Sequence, residues 1–213
     1  MLRDIIDKSC NLEKYPFIWD NLLNVRKSDK QIIFVYGMSG SGKDTISNHL
    51  RDYHNFMKLR LAKVIKEIIT EKNLINMDKL DELKRNDPYY RTQHHVVSEE
   101  LRKGCQIPYN LSRCYQLLIG DSVEFEIIKN NFKKYIFCDV RTIEEASMLL
   151  IAGATGLFLT RENTKEYKDN KHFTEKDMLS DERFIELIKN DTNKQIYVID
   201  NSTFPNQTKS YII

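Results

Sequence analysis

Residues Gly37 to Thr45 read Gly-Met-Ser-Gly-Ser-Gly-Lys-Asp-Thr, and the fold of the whole chain is best approached from this stretch. Gly37, Gly42 and Lys43 satisfy the spacing Gly-x-x-x-x-Gly-Lys. In that pattern the glycines let successive backbone N–H groups curl around a phosphate at the positive end of a helix, and the lysine reaches the outer phosphates. The residues expected to bind a nucleotide here are Gly37, Ser39, Gly40, Ser41, Gly42, Lys43, Asp44 and Thr45.

The flanking residues supply the strand and the helix that such a loop requires. Gln31 to Tyr36 form a short β-branched and aromatic run, typical of a strand buried on both faces of a parallel sheet. Thr45 to His54 favour a helix, with Ile46 and Leu50 on one face. This context disfavours the alternative, a Gly- and Ser-rich turn that precedes a helix by chance.

Asp44 stands where the general motif has Ser or Thr as a magnesium ligand. A carboxylate there can hold Mg²⁺ directly or through water, which leaves the Thr45 hydroxyl and N–H for the α-phosphate. Asp44 can equally serve only as a favourable negative charge in the first helical turn. Both interpretations stay open on the sequence.

The composition describes a single domain without a dominant charge. The chain has 213 residues, 41% of them hydrophobic, which suits one elaborated α/β core. Its net charge is +2, from 33 basic and 31 acidic residues, so no global field draws it to nucleic acid or to a membrane. Neither an apolar run of about 18 residues nor a signal-peptide pattern occurs, and we expect a soluble cytoplasmic protein. The four cysteines lack metal-ligand spacing and are expected to be reduced thiols.

Strand-like and helix-like segments alternate along the chain without a linker or a repeat. The further strands are predicted at Asn55 to Leu61, Lys134 to Asp139, Thr155 to Thr160 and Ile196 to Ile199. The further helices are predicted from the opening residues to about Asn24, and at Ala62 to Thr70, Met77 to Lys103 with a break at Asp87-Pro88, Leu111 to Ile119 and Ile143 to Ala152. This alternation predicts an α/β fold with a parallel sheet, which binds ligands at the carboxyl ends of its strands.

A carboxylate and a guanidinium follow one of these strands. Asp139 ends the strand and Arg141 comes two residues later, so both are expected near the phosphates of the loop. Asp139 can orient the water shell of Mg²⁺, and Arg141 can pair with phosphate oxygens. The alternative is an Arg–carboxylate pair that only fixes the end of the strand.

Four blocks of sequence, in order, resemble the phage-type deoxynucleoside monophosphate kinases. They are Ser41-Gly-Lys-Asp-Thr45, Ser112-Arg113-Cys-Tyr-Gln116-Leu-Leu-Ile-Gly120-Asp121, Asp139-Val-Arg141 with Glu144-Glu145-Ala146, and His172-Phe-Thr174-Glu175. The resemblance covers about residues 31–202, and only the first block is specific by itself. The chain departs from the family pattern at Leu111-Ser112, Asp121-Ser122 and Thr174, where the family has Thr-Pro, Thr and Ser.

The resemblance implies a three-layer α/β/α P-loop NTPase fold that transfers the γ-phosphate of ATP, with Mg²⁺, to a deoxynucleoside monophosphate. Such a transfer needs positioning and cations, and the acceptor phosphate needs a second anion site. The expected substrate-binding residues are Arg91, Arg113, Gln116, Asp121, Arg141 and Lys66. Arg113 and Gln116 share a helical face, so the arginine can hold the acceptor phosphate while the amide reads a base edge; a solvated pair is the alternative.

The chain is expected to be a single kinase domain with three functional segments. An N-terminal helical extension takes residues 1–30, a helical acceptor-binding region about residues 76–122, and a closing lid about residues 161–178. Arg161, at the start of the lid, is expected to act in catalysis together with Lys43 and Arg141. A lid of this kind expels water and brings cations to the γ-phosphate.

Two other functions stay open on the sequence. One is a kinase of another small phosphorylated acceptor, because a related Gly-Lys-Asp loop occurs among phosphomevalonate kinases. The other is a viral-type nucleotide-binding module without turnover. The expected partners are ATP and a deoxynucleoside monophosphate, nucleic acid is not expected to bind, and a homodimer through the apolar N-terminal segment remains open.

Overall fold

The computed structural model describes residues 2–9, 15–37, 40–103, 109–119, 133–160, 182–189 and 193–201. The helices in these segments are α1 (Leu2–Ser9), α2 (Phe17–Lys27), α3 (Lys43–His54), α4 (Lys63–Asn73), α5 (Met77–Asn86), α6 (Pro88–Lys103), α7 (Tyr109–Ile119), α8 (Ile143–Ile151) and α9 (Glu182–Lys189). The strands are β1 (Gln31–Gly37), β2 (Met57–Leu59), β3 (Lys134–Val140), β4 (Thr155–Thr160) and β5 (Ile196–Asp200).

The five strands of the described segments form one parallel sheet in the order β2-β3-β1-β4-β5. The central strand β1 pairs with β3 on one side and with β4 on the other. This confirms the predicted parallel α/β architecture, which is consistent with a P-loop-like or Rossmann-like fold. Because parallel strands end at the same edge of a sheet, the residues that follow β1, β3 and β5 all lie along that edge.

Helices cover both faces of this sheet because the side chains of its buried strands alternate between them. Phe34 and Tyr36 of β1 belong to a large core that includes buried residues of α1, α2, α7 and α8. Val35, between them, packs on the other face against Ile46 and Leu50 of α3. The chain therefore builds the three-layer arrangement from the β-branched and aromatic runs that predicted the strands.

Helices α4, α5 and α6 have a small hydrophobic core of their own. Ile65 and Ile69 of α4 contact Leu80 of α5 and Val97 of α6 there. The Asp87-Pro88 break separates α5 from α6, as predicted, because proline disfavours helical geometry at the residue before it. This helical unit stands beside the carboxyl end of β3, where it bounds one side of a pocket.

Two boundary predictions were wrong. The N-terminal segment forms two helices rather than one, because Tyr15 and Pro16 stand between α1 and α2 and Pro16 disfavours a helical Tyr15. The strand predicted from Asn55 to Leu61 is shorter, since Asn55 adopts a left-handed conformation at the end of α3. The other predicted strands and helices that fall on described residues are confirmed within a few positions. None of the described helices has both the length and the apolar character that crossing a bilayer requires.

Candidate functional site

The loop between β1 and α3 presents backbone rather than side chains. Gly40 and Gly42 have positive φ angles of 79° and 97°, which glycine adopts without a Cβ penalty. Gly42 is also the residue before the first turn of α3, and no side chain caps this helix end. A glycine at this position leaves room for an anion beside the first turn of the helix.

Glycine is required in this loop because other groups fill the space around it. A Cβ on Gly37 would stand 2.6 Å from the Leu159 carbonyl oxygen and 2.6 Å from Ser41 Oγ. A Cβ on Gly42 would stand 2.6 Å from Asn201 Nδ2. The described loop residues, Gly37 and Gly40 to Lys43, thus form a close-fitting cradle, and they fit a nucleotide phosphate.

The side chains of Lys43 and Asn201 donate hydrogen bonds to backbone carbonyl groups of the cradle. The Lys43 ammonium donates to the Gly37 carbonyl oxygen at 2.6 Å, so it lies across the loop. Buried Asn201, directly after β5, donates through Nδ2 to the Ser41 carbonyl oxygen at 2.9 Å. The sequence prediction missed Asn201, although its place after the last predicted strand puts it at the carboxyl edge of the sheet.

Asp44 lies in a cluster of cations beside the cradle. Lys58 Nζ donates to Asp44 Oδ1 at 2.9 Å and to Asn48 Oδ1 at 3.0 Å, and Arg60 Nη2 lies 3.9 Å from the same carboxylate. Burial acts to raise the pKa of Asp44, but the hydrogen bond and charge of Lys58 outweigh it and leave that pKa below its usual value. The ionised carboxylate suits either of the two roles considered for Asp44, and the magnesium role stays a prediction. Among the described residues, no three carboxylate, thiol or imidazole groups gather as a ready-made metal site.

Asp139 is bonded to the start of α4 rather than to the Arg141 guanidinium. Its Oδ1 accepts from the Leu61 N–H at 2.8 Å and its Oδ2 from the Ala62 N–H at 2.9 Å. These bonds use both oxygens to fix the loop between β2 and α4 against the end of β3. A magnesium role for Asp139 stays a prediction.

An open pocket lies beside the cradle, at the carboxyl end of β3. Helices α4, α6 and α7 supply its other walls. Its lining residues are Leu61, Ala62, Ile65, His94, His95, Ser98, Tyr109, Asn110, Asp139, Arg141 and Glu145. Of the predicted site residues, Arg141 and Asp139 are therefore brought together here.

His94 gives the pocket a neutral wall. It is 7% exposed, and burial lowers its pKa to about 2, assisted by the positive charges of Lys84, Arg141, His95 and Lys66. The imidazole is consequently uncharged at neutral pH. The guanidinium of Arg141 is a permanent positive charge that the described lining offers to an anionic ligand.

Glu145 fixes the floor of the pocket. Its Oε2 accepts from the N–H groups of Arg141 at 2.7 Å and Thr142 at 3.0 Å, and its Oε1 accepts from Asn110 Nδ2 at 2.5 Å. The Glu145 N–H donates to Thr142 Oγ1 at 3.2 Å, which completes a capping box at the start of α8. Burial raises the pKa of Glu145, while its three donors act in the opposite direction. The S/T-x-x-E spacing of Thr142 and Glu145 was a signal in the sequence for the cap, but not for the pocket.

Arg113, Gln116 and Lys66 do not line this pocket. Gln116 is exposed on α7, and Arg113 is half-buried one turn after Tyr109. Burial raises the pKa of Tyr109, whereas the charge of Arg113 lowers it, which places that charge near the pocket wall. Lys66 pairs with Asp81 of α5 at 2.5 Å. The substrate-binding roles of these residues stay predictions.

Other predicted residues lie outside what the structure describes. Arg91 falls within α6, but its side chain is not described. Ser39, Asp121, Arg161 and the predicted lid at about residues 161–178 fall on positions that are not described.

Comparison with known proteins adds no family to these observations, because no protein-family model matches the chain and no curated protein matches it significantly.

Proposed function

We propose that this chain is an ATP-dependent deoxynucleoside monophosphate kinase of the P-loop class. The observation that carries the proposal is the adjacency of the glycine-rich loop and the pocket that Arg141 lines. Tyr36 of β1 pairs with Val140 of β3, so the residues that follow them, Gly37 and Arg141, stand side by side at the carboxyl edge of the sheet. Gly37 is the first residue of the cradle, and Arg141 lines the neighbouring pocket.

This arrangement suits transfer between two phosphates. The cradle and Lys43 would hold the outer phosphates of ATP, and Arg141 would hold the acceptor phosphate in line with them. The acceptor phosphate is itself a nucleophile, so the protein has to supply positioning and positive charge rather than a catalytic base. Mg²⁺, bound with ATP and supported by Asp44 or Asp139, would neutralise charge on the transferred group.

The pocket has features that suit a nucleoside as well as a phosphate. Apolar Leu61, Ala62 and Ile65 form one wall, and the aromatic ring of Tyr109 and the neutral imidazole of His94 also line it. A base can pack on such groups while its polar edge meets side-chain hydrogen-bonding groups. In this proposal α4, α5, α6 and α7 form the acceptor-binding region, and Arg161 would complete the charge around the γ-phosphate from the lid.

The decisive experiment is a substrate panel. The purified protein is incubated with ATP, Mg²⁺ and each deoxynucleoside or ribonucleoside monophosphate in turn, and ADP and nucleoside diphosphates are separated by chromatography. We expect equimolar ADP and diphosphate from one or more deoxynucleoside monophosphates. ATP binding without diphosphate from any of them would contradict the proposal and would favour another phosphorylated acceptor or a binding module.

A further inference from the structure

Two polar atoms in the first turn of α7 are buried without a hydrogen-bond partner among the described residues. They are Tyr109 Oη and Asn110 Oδ1, and both residues line the pocket. Buried polar atoms in native proteins nearly always have a partner, so an orphaned pair at a pocket wall needs an explanation. A ligand that enters the pocket is the nearest available source of one.

The orientation of the Asn110 amide is set by Glu145. The Glu145 carboxyl is 3% exposed and receives three donors, one of which is Asn110 Nδ2 at 2.5 Å. Because the Nδ2 atom of Asn110 donates to Glu145 Oε1, the NH₂ group of the amide faces the carboxyl group. The carbonyl oxygen of the amide is then turned away from Glu145, and in that direction no described group donates to it.

We propose that Glu145 and Asn110 form a specificity-determining pair, in which Glu145 orients the amide so that Asn110 Oδ1 accepts a hydrogen bond from an N–H of the acceptor's nucleobase. This inference rests on the proposed kinase function and assigns the part of the pocket that recognises the base. A site built to accept such a bond discriminates strongly against molecules that lack the donor, because its own buried acceptor would stay unpaired.

The same carboxyl group also positions Arg141, at the part of the site proposed for the acceptor phosphate. Glu145 Oε2 holds the backbone N–H of Arg141, whose guanidinium would bind the acceptor phosphate. Glu145 thus holds both the amide proposed to bind the base and the arginine proposed to bind the phosphate. Asn110 and Glu145 are nevertheless 35 positions apart in the sequence. Glu145 is in this sense a positioning residue for both ends of the acceptor.

Exchanging the acid and the amide tests the pair. In Glu145→Gln the new side-chain oxygen can still accept from Arg141 and Thr142, but its NH₂ group faces Asn110 and forces that amide to turn around. In the double variant Glu145→Gln with Asn110→Asp, one introduced carboxylate oxygen accepts from the glutamine and the other restores the acceptor on the opposite side. Glu144→Gln, the same change one position earlier on α8, is the matched control.

We expect Glu145→Gln to raise KM for the preferred monophosphate about tenfold, with KM for ATP within about twofold of wild type, since one hydrogen bond to the acceptor is lost. The exchanged double variant should return KM for the monophosphate to within about threefold of wild type, as restored hydrogen bonding requires. A Glu145→Gln enzyme that behaves like Glu144→Gln, or an exchange that restores nothing, would overturn the inference and leave an ordered water as the partner of Asn110. If Glu145→Gln does not fold, Asn110→Ala must raise the same KM.

Calorimetric titration with monophosphates separates this inference from the kinase proposal. If the wild-type protein binds a monophosphate without turning it over, the kinase proposal fails, and the affinities of the variants must follow the order expected for KM. If the wild-type protein binds no monophosphate, both proposals fail. Turnover by wild type with unchanged affinity in Glu145→Gln overturns this inference alone.

Discussion

The phosphate cradle and the neighbouring pocket are built in opposite ways. The described residues of the cradle, Gly37 and Gly40 to Lys43, come from one short stretch of sequence, and three of the five are glycines. The pocket is assembled from the end of β3 and four helices, and it offers side chains whose pKa values are shifted by burial, such as His94 and Glu145. One site depends on local conformation, whereas the other depends on tertiary packing.

The difference teaches where each site is sensitive to change. In the cradle, the available space limits which substitutions are tolerated, because a Cβ at Gly37 or Gly42 would lie 2.6 Å from other atoms. In the pocket, hydrogen bonding limits which substitutions are tolerated, because Asp139 and Glu145 each accept hydrogen bonds from more than one donor. We therefore expect changes in the cradle to act on the transfer step and changes in the pocket to act on acceptor affinity or on stability.

The largest effect is expected at Lys43, whose ammonium lies across the cradle. Lys43→Ala should lower kcat by about 10³-fold or more, because it removes a cation from a highly charged transition state. ADP release measured under saturating substrates checks this, with circular dichroism to show that the variant is folded. Lys79→Ala, which removes an exposed lysine paired with Glu82, should keep full activity. A folded and active Lys43→Ala protein would show that the cradle does not serve catalysis.

The next largest effect concerns Arg141 and Arg113, which the sequence analysis predicted to bind the same acceptor. Arg141 lines the pocket and Arg113 does not, so Arg141→Ala should raise KM for the monophosphate by about 10- to 100-fold, the effect of a lost charge-assisted bond. Arg113→Ala should raise it less, and KM for ATP should change little in either variant. Steady-state kinetics with each substrate varied in turn measure this. Arg51→Ala, which removes an exposed arginine paired with Asp52, is the control. A larger effect at Arg113 would move the acceptor phosphate away from β3.

A smaller effect concerns pH and the buried imidazole. The folded-state pKa of His94 is about 2, well below 6.5, so the unfolded chain binds the extra proton first. The resulting stability is fully present above pH 6.5 and is lost progressively as the pH falls toward the folded value. By pH 5 the loss is about 2 kcal/mol in the free energy of unfolding.

Urea unfolding at pH 7 and pH 5 checks this expectation. His94→Gln should lose that part of the pH dependence, whereas His54→Gln, at the exposed end of α3, should keep it. An acid dependence that persists unchanged in His94→Gln would mean that His94 is accessible and charged.

The smallest effect is expected at the exposed carboxylate of Asp44. Lys58, with Arg60 and Lys43, keeps the pKa of Asp44 below 3.8 in spite of partial desolvation, so the stabilising pair is present above that pH and is lost as the pH falls through the lowered value. Since the Asp44 side chain is 77% exposed, Asp44→Asn should cost under about 1 kcal/mol of unfolding free energy at pH 7. Asp52→Asn, which removes another exposed paired carboxylate, should cost a similar amount. A loss of several kcal/mol would show that the cluster is a structural centre.

The cradle was predictable because it is local. Gly37, Gly42 and Lys43 carry a conformational and an electrostatic signal in seven consecutive residues, and the neighbouring strand and helix carry a hydrophobic signal. The parallel sheet followed from the same kind of pattern, because buried strands read as continuous apolar runs. The errors lay at boundaries, where a single residue such as Pro16 or Asn55 redirects the backbone.

The pocket was only partly predictable. Arg141 was found because it follows a strand, but the contact of Asn110 with Glu145 joins positions 35 apart, and the bond of Asp139 to Leu61 spans 78. Neither pairing leaves a periodic or compositional trace in the sequence. The desolvation that neutralises His94 likewise depends on how α6 packs, which no local pattern reveals.

The bond from Asn201 to the Ser41 carbonyl has a consequence for the order of events during synthesis. It joins residues 160 positions apart, so the cradle acquires this support only after the chain has been made beyond β5. At about 5–20 residues per second, a ribosome needs roughly 8–32 s to cover that distance. During this interval the nascent chain carries the complete proposed nucleotide-binding motif, but its backbone lacks the bond from Asn201. The protein would then reach its full affinity for a nucleotide late in translation, after β5 has joined the sheet and Asn201 has bonded to the loop.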